Sequence, residues 1–285
     1  MTPNMIRAPI LTLLAALACA PLAASAQTAA PVYTIEAIRY ATIQGFPVDG
    51  LVAGADPARK MDIAMIFWLV QGGGHNVLVD SGFYRPQLFK GWSIADYRKP
   101  TEALRAAGLA PADVTDIVIS HMHWDHADGM DLFPKARIWI QRDEYTYYTG
   151  EAWHHADTHG GIEPDDVEAL VKANIAGRVS FVEGDDQEIL PGIRCYIGGK
   201  HTYQSQYATV HAKDGTVVLA SDNVYLYENL DKHVPIAETL DAKSNLRAQD
   251  RMRTLASKPG FIIPGHDPAI FERFPAVAPG VVKID

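Results

Sequence analysis

Apolar and polar positions alternate in short blocks along most of the chain. VYTIEAIRYATI (32–43), MDIAMIFWLV (61–70) and HNVLVDSGF (75–83) are rich in β-branched and aromatic residues and broken by turns such as Gly72-Gly73-Gly74, which predicts three strands. TEALRAAG then has helix-forming composition closed by Gly108, and DIVIS is a short buried strand. ARIWIQ reads as a strand and RDEYTYY as the start of a helix. PDDVEALVKANIAG is the clearest helix, with acids in its first turn, Val167, Leu170, Val171 and Ile175 on one face, and Gly177 at its end.

The second half repeats the rhythm. RVSFVEG, GIRCYIGG and QYATVHAKDGTVVLASD, with its Lys-Asp-Gly turn, predict strands; SNLRAQDRMRTLAS predicts a helix, and FIIPGH a last buried strand. Strands followed by helix in both halves, with no internal repeat or Gly/Pro/Ser-rich linker, point to one α/β domain of two packed sheets with helices outside.

The beginning of the chain departs from this pattern. Residues 5–27 carry one positive charge, an apolar stretch too short to span a bilayer, and then Ala24-Ser25-Ala26, the small-x-small pattern of a cleavage site. The expectation is a secretory signal peptide over 1–26, a mature domain over 27–285, and a periplasmic or secreted protein without a membrane anchor. Cleavage removes Cys19 and leaves Cys195 alone in a strand, a small buried hydrophobe with no disulfide partner. The 285 residues are 48% hydrophobic and carry a net charge of -9 with no Lys/Arg cluster, which argues against nucleic acid and anionic membranes as partners. The oligomeric state leaves no mark on the sequence.

One segment concentrates chemistry. After DIVIS come His121, His123, Asp125 and His126, where a loop leaving a strand can turn several side chains toward one point, with a helix starting near Gly129. Imidazole and carboxylate without thiolate suit a catalytic zinc site better than a closed structural one. His201, Asp222 and His266 each follow apolar residues or a glycine-rich turn and supply further donors. His75, His154, His155, His159, His211 and His233 are read as ordinary surface or loop histidines.

HMHWDH followed by His201, Asp222 and His266 resembles the H-x-H-x-D-H…H…D…H pattern of the metallo-β-lactamase superfamily, and Leu78-Val79-Asp80-Ser81-Gly82 is similar to its Asp-x-Gly strand signature. The resemblance implies an αββα four-layer sandwich holding two divalent metal ions, zinc above all. His121, His123 and His201 would hold one ion and Asp125, His126 and His266 the other, with Asp222 bridging and Asp80 orienting ligands. Such a pair lowers the pKa of a shared hydroxide and polarises a carbonyl.

SDNVYLY is similar to the corresponding segment of the N-acyl-homoserine lactonases, which implies a small-molecule lactone or ester as substrate and a carbonyl-holding role for Tyr225, with Tyr227 two residues away as the competitor. Asp125 would move a proton toward the leaving ring oxygen. The alternatives are hydrolysis of another ester, an amide such as a β-lactam, or a phosphoester, and a zinc-binding protein without turnover. Asp128 stands where the lactonases have glycine and is expected to add a carboxylate near the site. The aromatic, histidine-rich stretch 145–159 has two readings, a loop that covers the site and a surface loop with a partly buried Trp153.

Overall fold

A computed structural model describes residue 1 and residues 30–285; the rest of the expected signal peptide, with Cys19, lies outside the described residues. The strands are β1 (Thr34–Pro47), β2 (Lys60–Gly72), β3 (His75–Val79), β4 (Ile94–Ala95), β5 (Asp116–Val118), β6 (Arg137–Gln141), β7 (Val179–Val182), β8 (Gln187–Leu190), β9 (Ile193–Ile197), β10 (Gln206–Ala212), β11 (Gly215–Ser221), β12 (Ile262–Pro264), β13 (Ala276–Ala278) and β14 (Val281–Lys283). The helices are α1 (Pro100–Ala106), α2 (Trp124–Ala127), α3 (Arg142–Tyr148), α4 (Pro164–Ile175), α5 (Tyr227–Lys232), α6 (Ala242–Leu255) and α7 (Ile270–Arg273).

Two sheets form. The larger runs β13-β14-β1-β2-β3-β5-β6-β7 with β4 attached to β1; the smaller runs β12-β11-β10-β9-β8. β2 shows why they stack. Every residue from Ile63 to Val70 is buried, with Ile63, Met65, Phe67 and Leu69 entering one core and Ala64, Ile66, Trp68 and Val70 the other. The period of two that puts neighbours on opposite faces therefore makes β2 apolar on both sides. Each large side chain so buried contributes about 1.5–3 kcal/mol.

The first core reaches α1 through Ala103 and Leu104 and α4 through Leu170 and Ala173. The second joins β2 to Ile193, Cys195 and Val210 of the smaller sheet and continues to Ala248 and Met252 of α6. The layers are thus helix, sheet, sheet, helix, the expected αββα sandwich. Among the described residues no helix is long and apolar enough to cross a membrane.

Four expectations need correction. Ile175 is exposed; α4 instead buries Asp166, Leu170 and Ala173, and at about 3.6 residues per turn Ile175 falls on the opposite side of the helix from Asp166. The helix in the histidine motif starts at Trp124, not near Gly129, since the amides of His126 and Ala127 already bond to His123 O. FIIPGH is not the last strand: β13 and β14 follow, and β14 pairs with β1. The stretch 145–159 holds the end of α3 and a short 3-10 turn, with Trp153 stacked on His159, and lines no part of the cavity described below, so of its two readings the covering loop fails.

Candidate metal centre

All the sequence-predicted ligands come together at one end of the sandwich, beyond the C-terminal ends of β3, β5, β11 and β12 and in the loop from β9 to β10. His121, His123, His201 and Asp222 offer one set of ligand atoms and Asp125, His126, Asp222 and His266 another, each set within 4.8 Å. Asp222 belongs to both. Its Oδ2 lies 3.4 Å from His201 Nε2 and 3.2 Å from His126 Nε2, and its Oδ1 lies 3.0 Å from His266 Nε2.

The outer nitrogens are occupied, which fixes the rings. His121 Nδ1 meets Ser120 Oγ at 2.8 Å, His126 Nδ1 meets Asp80 Oδ2 at 2.8 Å, His201 Nδ1 meets Glu238 O at 2.8 Å and His266 Nδ1 meets Ala64 O at 3.0 Å. Their Nε2 atoms are left to face the centre. His123 points inward through Nδ1, 2.8 Å from His201 Nε2. Its other edge packs on Gly161, where an added Cβ would come within 2.9 Å of the ring.

Backbone strain accompanies the site. Asp80, Lys200 and Ser221 have positive φ without being glycine, each adjacent to or part of the ligand shell. Asp80 offsets that cost with three hydrogen bonds: Oδ1 accepts from Ser120 N, and Oδ2 from Ser221 Oγ and the His126 ring. At Gly265 an added Cβ would sit 2.6 Å from Asp222 Oδ1, so only glycine lets β12 deliver His266 beside Asp222.

These residues fit a pair of divalent cations. His121 Nε2, His126 Nε2 and Asp222 Oδ1 are buried, and their close approaches within the cluster do not have hydrogen-bond geometry, a costly arrangement unless something else coordinates them. Burial and the neighbouring His126 and His201 hold the His121 pKa well below the ordinary range; burial and His201 take His123 down to about 3, so both are neutral donors. Burial alone would raise Asp125 and Asp222, but His126 draws both down, with His266 adding to the pull, and keeps them ionised. At His126, burial is outweighed by Asp125, Asp222 and Asp80, which favour positive charge at that spot. Neutral imidazole and ionised carboxylate are the forms that bind divalent metal.

A family model described as the metallo-beta-lactamase superfamily matches residues 67–266, which span this whole ligand set. The chain belongs to that superfamily. It is 27% identical over 226 residues to an N-acyl homoserine lactonase of a Bacillus species, covering 74% of this chain and 84% of the relative. Its fold is similar to that of a B. thuringiensis AiiA mutant with N-decanoyl-L-homoserine bound at its active site, with a TM-score of 0.69, 23% identity, and 86% and 98% of the two chains covered. It is also similar to AidC, described as a dizinc quorum-quenching lactonase, with a TM-score of 0.64, 17% identity, and 88% and 94% covered.

In this superfamily member a cavity of about 420 Å³ opens above the ligands. Ile43, Phe46, Leu51, Ile63, Met65, Trp92 and Trp124 make its walls, and Asp125, Asp222, Tyr225, Glu238 and His266 contribute the polar side. Phe46 stacks on Trp92 at 5.7 Å, and Trp92 on Trp124 at 6.0 Å. Tyr225 is the tyrosine that faces the ligands, its hydroxyl 3.5 Å from His201 Nδ1 and 3.5 Å from Glu238 Oε2. Tyr227 lies under the Arg273 guanidinium and borders a different cavity.

Asp128 does not enlarge the ligand shell. Its buried carboxylate accepts from the amides of Tyr84 and Arg85 and pairs with the Arg85 guanidinium, facing away from the cavity. Sequence reasoning missed Glu144, buried in α3, which accepts from Met122 N, Thr202 Oγ1 and Gln204 N and so ties the histidine motif to the His201 loop. It also missed Ser120, Ser221 and Glu238. Only a charged residue inside the apolar-facing stretch RDEYTYY could have drawn attention to Glu144.

Proposed function

We propose that the chain is an exported lactonase that holds two zinc ions and opens the ring of N-acyl homoserine lactones. The observation that carries this is the pair of ligand sets sharing Asp222 beneath an apolar cavity, with Tyr225 at their edge. Divalent cations bound there supply a hydroxide nucleophile at neutral pH and Lewis-acid polarisation of the scissile carbonyl. The apolar walls take the acyl chain and exclude water from the reacting carbonyl. Tyr225 donates its O–H to the carbonyl oxygen as negative charge grows on it. As the tetrahedral centre collapses, the ring C–O bond breaks, and Asp125, ionised at rest, takes the proton from the oxygen that attacked and passes it to the departing ring oxygen, leaving a hydroxy carboxylate.

An uncharged ester fits better than a phosphoester. None of the residues lining the cavity is Lys or Arg, and Lys200, adjacent to His201, turns its ammonium to Tyr203 O and Gln204 Oε1. The test is ring opening, read as proton release, across lactones, simple esters, a β-lactam and a phosphotriester by the metal-loaded chain beginning at Gln27, with metal counted by mass spectrometry. Chelator-sensitive opening of acyl homoserine lactones above the other substrates supports the reading. A folded, metal-loaded protein that opens none of the lactones would remove it.

A further inference from the structure

Glu238 is the one carboxylate of the cavity that belongs to neither ligand set. It follows Ile236, which bridges to Val52, and its own segment is tied to the His201 loop by Thr239 Oγ1 donating to Gly199 O and by Leu240 N donating to Lys200 O. The segment is therefore braced on two sides. The main-chain carbonyl of Glu238 holds His201, while its side chain is exposed and free to meet a ligand. Its charged neighbours include His201, Asp222 and Asp125, and none of the described residues lining the cavity is lysine or arginine.

Its place next to Tyr225 gives it a specific use. The Tyr225 hydroxyl lies 3.5 Å from Glu238 Oε2, too long to fix the hydroxyl but short enough for one small substrate to touch both. In a lactone bearing an amide nitrogen on the carbon beside its carbonyl, bond lengths and angles put the carbonyl oxygen and that nitrogen about 2.7–3.6 Å apart. The carbonyl oxygen can then accept from Tyr225 while the amide N–H donates to Glu238, and the two contacts run side by side.

Resting on the lactone reading, we infer that Glu238 is a specificity-determining residue: it accepts the N–H of an acylamino group next to the scissile carbonyl and selects such lactones over plain alkyl lactones. A lactone without that donor loses the hydrogen bond to a charged acceptor, which is worth more than one to a neutral acceptor.

The test pairs an N-acyl α-amino-γ-butyrolactone with an alkyl γ-lactone of equal length, using the metal-loaded protein, Glu238→Ala and Glu238→Gln. Expected is a loss in Glu238→Ala of about tenfold or more in kcat/KM, chiefly through KM, for the acylamino lactone, and under about twofold for the alkyl one. Glu238→Gln, which keeps an acceptor oxygen, recovers part of the loss. Because the carbonyl that holds His201 is main chain, metal content should not change in either variant. Equal losses on both lactones, or none on the acylamino lactone, would overturn the assignment.

A second readout needs no turnover: binding of the matching lactams, with and without the acylamino N–H, followed by the fluorescence of Trp92 and Trp124, which line the cavity. Tighter binding of the acylamino lactam that disappears in Glu238→Ala supports the assignment even where no lactone is opened, an outcome that sinks only the lactone reading. Equal binding of the two lactams by the unsubstituted protein removes Glu238 from recognition, whatever the lactone kinetics.

Discussion

Asp80 reaches His126 across the seam between the end of β3 and the histidine motif, its Oδ2 2.8 Å from His126 Nδ1 with both residues buried. The same oxygen accepts from Ser221, directly before Asp222, and Oδ1 accepts from the amide of Ser120, directly before His121. One carboxylate thus sets three neighbours of the ligand shell, and it does so from a left-handed backbone position. Asp80→Ala is expected to weaken metal binding about 10- to 100-fold while the protein still folds. Competition with a graded chelator series, with circular dichroism as the folding control, would measure it.

Asp222 and His266 separate two kinds of loss. Asp222 contributes to both ligand sets, whereas His266 belongs to one. His266→Ala is therefore expected to retain about one equivalent of metal, since His121, His123, His201 and Asp222 remain, while Asp222→Ala falls below one. Metal analysis after gel filtration distinguishes them. Equal stoichiometry in the two variants would argue against a shared aspartate.

Much of this was legible in the sequence, for a physical reason. Ligands cluster where a strand ends, so HMHWDH, His201, Asp222 and His266 each announce themselves by a polar donor after an apolar run. The strands were equally plain, because β2 needs apolar residues on both faces. What stayed hidden was tertiary. Glu144 stands 58 residues before its partner Thr202, and nothing local marks that contact. Asp128 sits two residues after a ligand, yet a distant Arg85 pulls it away from the site. The cavity wall of Phe46, Trp92 and Trp124 is assembled from three separated segments, whereas the aromatic run at 145–159 suggested a cover by composition alone.

Glu144 makes the cost of that hidden contact measurable. Burial raises its pKa, against hydrogen bonds from Thr202, Gln204 and Met122 that favour the ionised form. Glu144→Ala strands three donors in a buried place, each worth about 1–3 kcal/mol if left unsatisfied, so a loss of roughly 3 kcal/mol or more is expected. Glu144→Gln retains two acceptor contacts at best and should lose less. Urea unfolding of the two variants orders them, and a larger loss in Glu144→Gln would contradict this account.

Arg85 gathers Asp128, Asp131 and Asp166 around one guanidinium, with 2.8 Å to Asp131 and 2.9 Å to Asp166. One cation cannot balance three carboxylates. Burial first, and then the charge and hydrogen bond of Asp128, push Asp166 up to about 9 despite Arg85. The folded-state pKa lies above the unfolded one, so this carboxyl contributes stability that is complete below pH about 4 and is lost as pH rises through about 9. Asp166→Asn, which resembles the protonated acid, is expected to melt like the unsubstituted protein only below pH about 4 and increasingly above it as pH rises toward about 9. A substituted protein that melts lower at pH about 9 would mean the carboxylate is ionised and held by Arg85 after all.

The hydroxyl of Tyr225 can be isolated from its ring. The ring packs near His201 and His266, with centroids 5.5 Å and 5.8 Å away, and the residue is buried, so phenylalanine should fill the same space. What Tyr225→Phe removes is one donor aimed into the cavity beside the ligands. If that donor meets the carbonyl oxygen only as charge develops, kcat falls about 10- to 100-fold with KM little changed, less than the roughly 100- to 1,000-fold of a lone oxyanion donor because a bound metal would share the role. If the hydroxyl instead binds the resting substrate, the loss appears in KM. Tyr227→Phe, on the far side and against Arg273, should leave both constants where they were. Steady-state kinetics of the two variants on one acyl homoserine lactone therefore assigns the tyrosine, and a kcat loss confined to Tyr227→Phe would reverse the assignment.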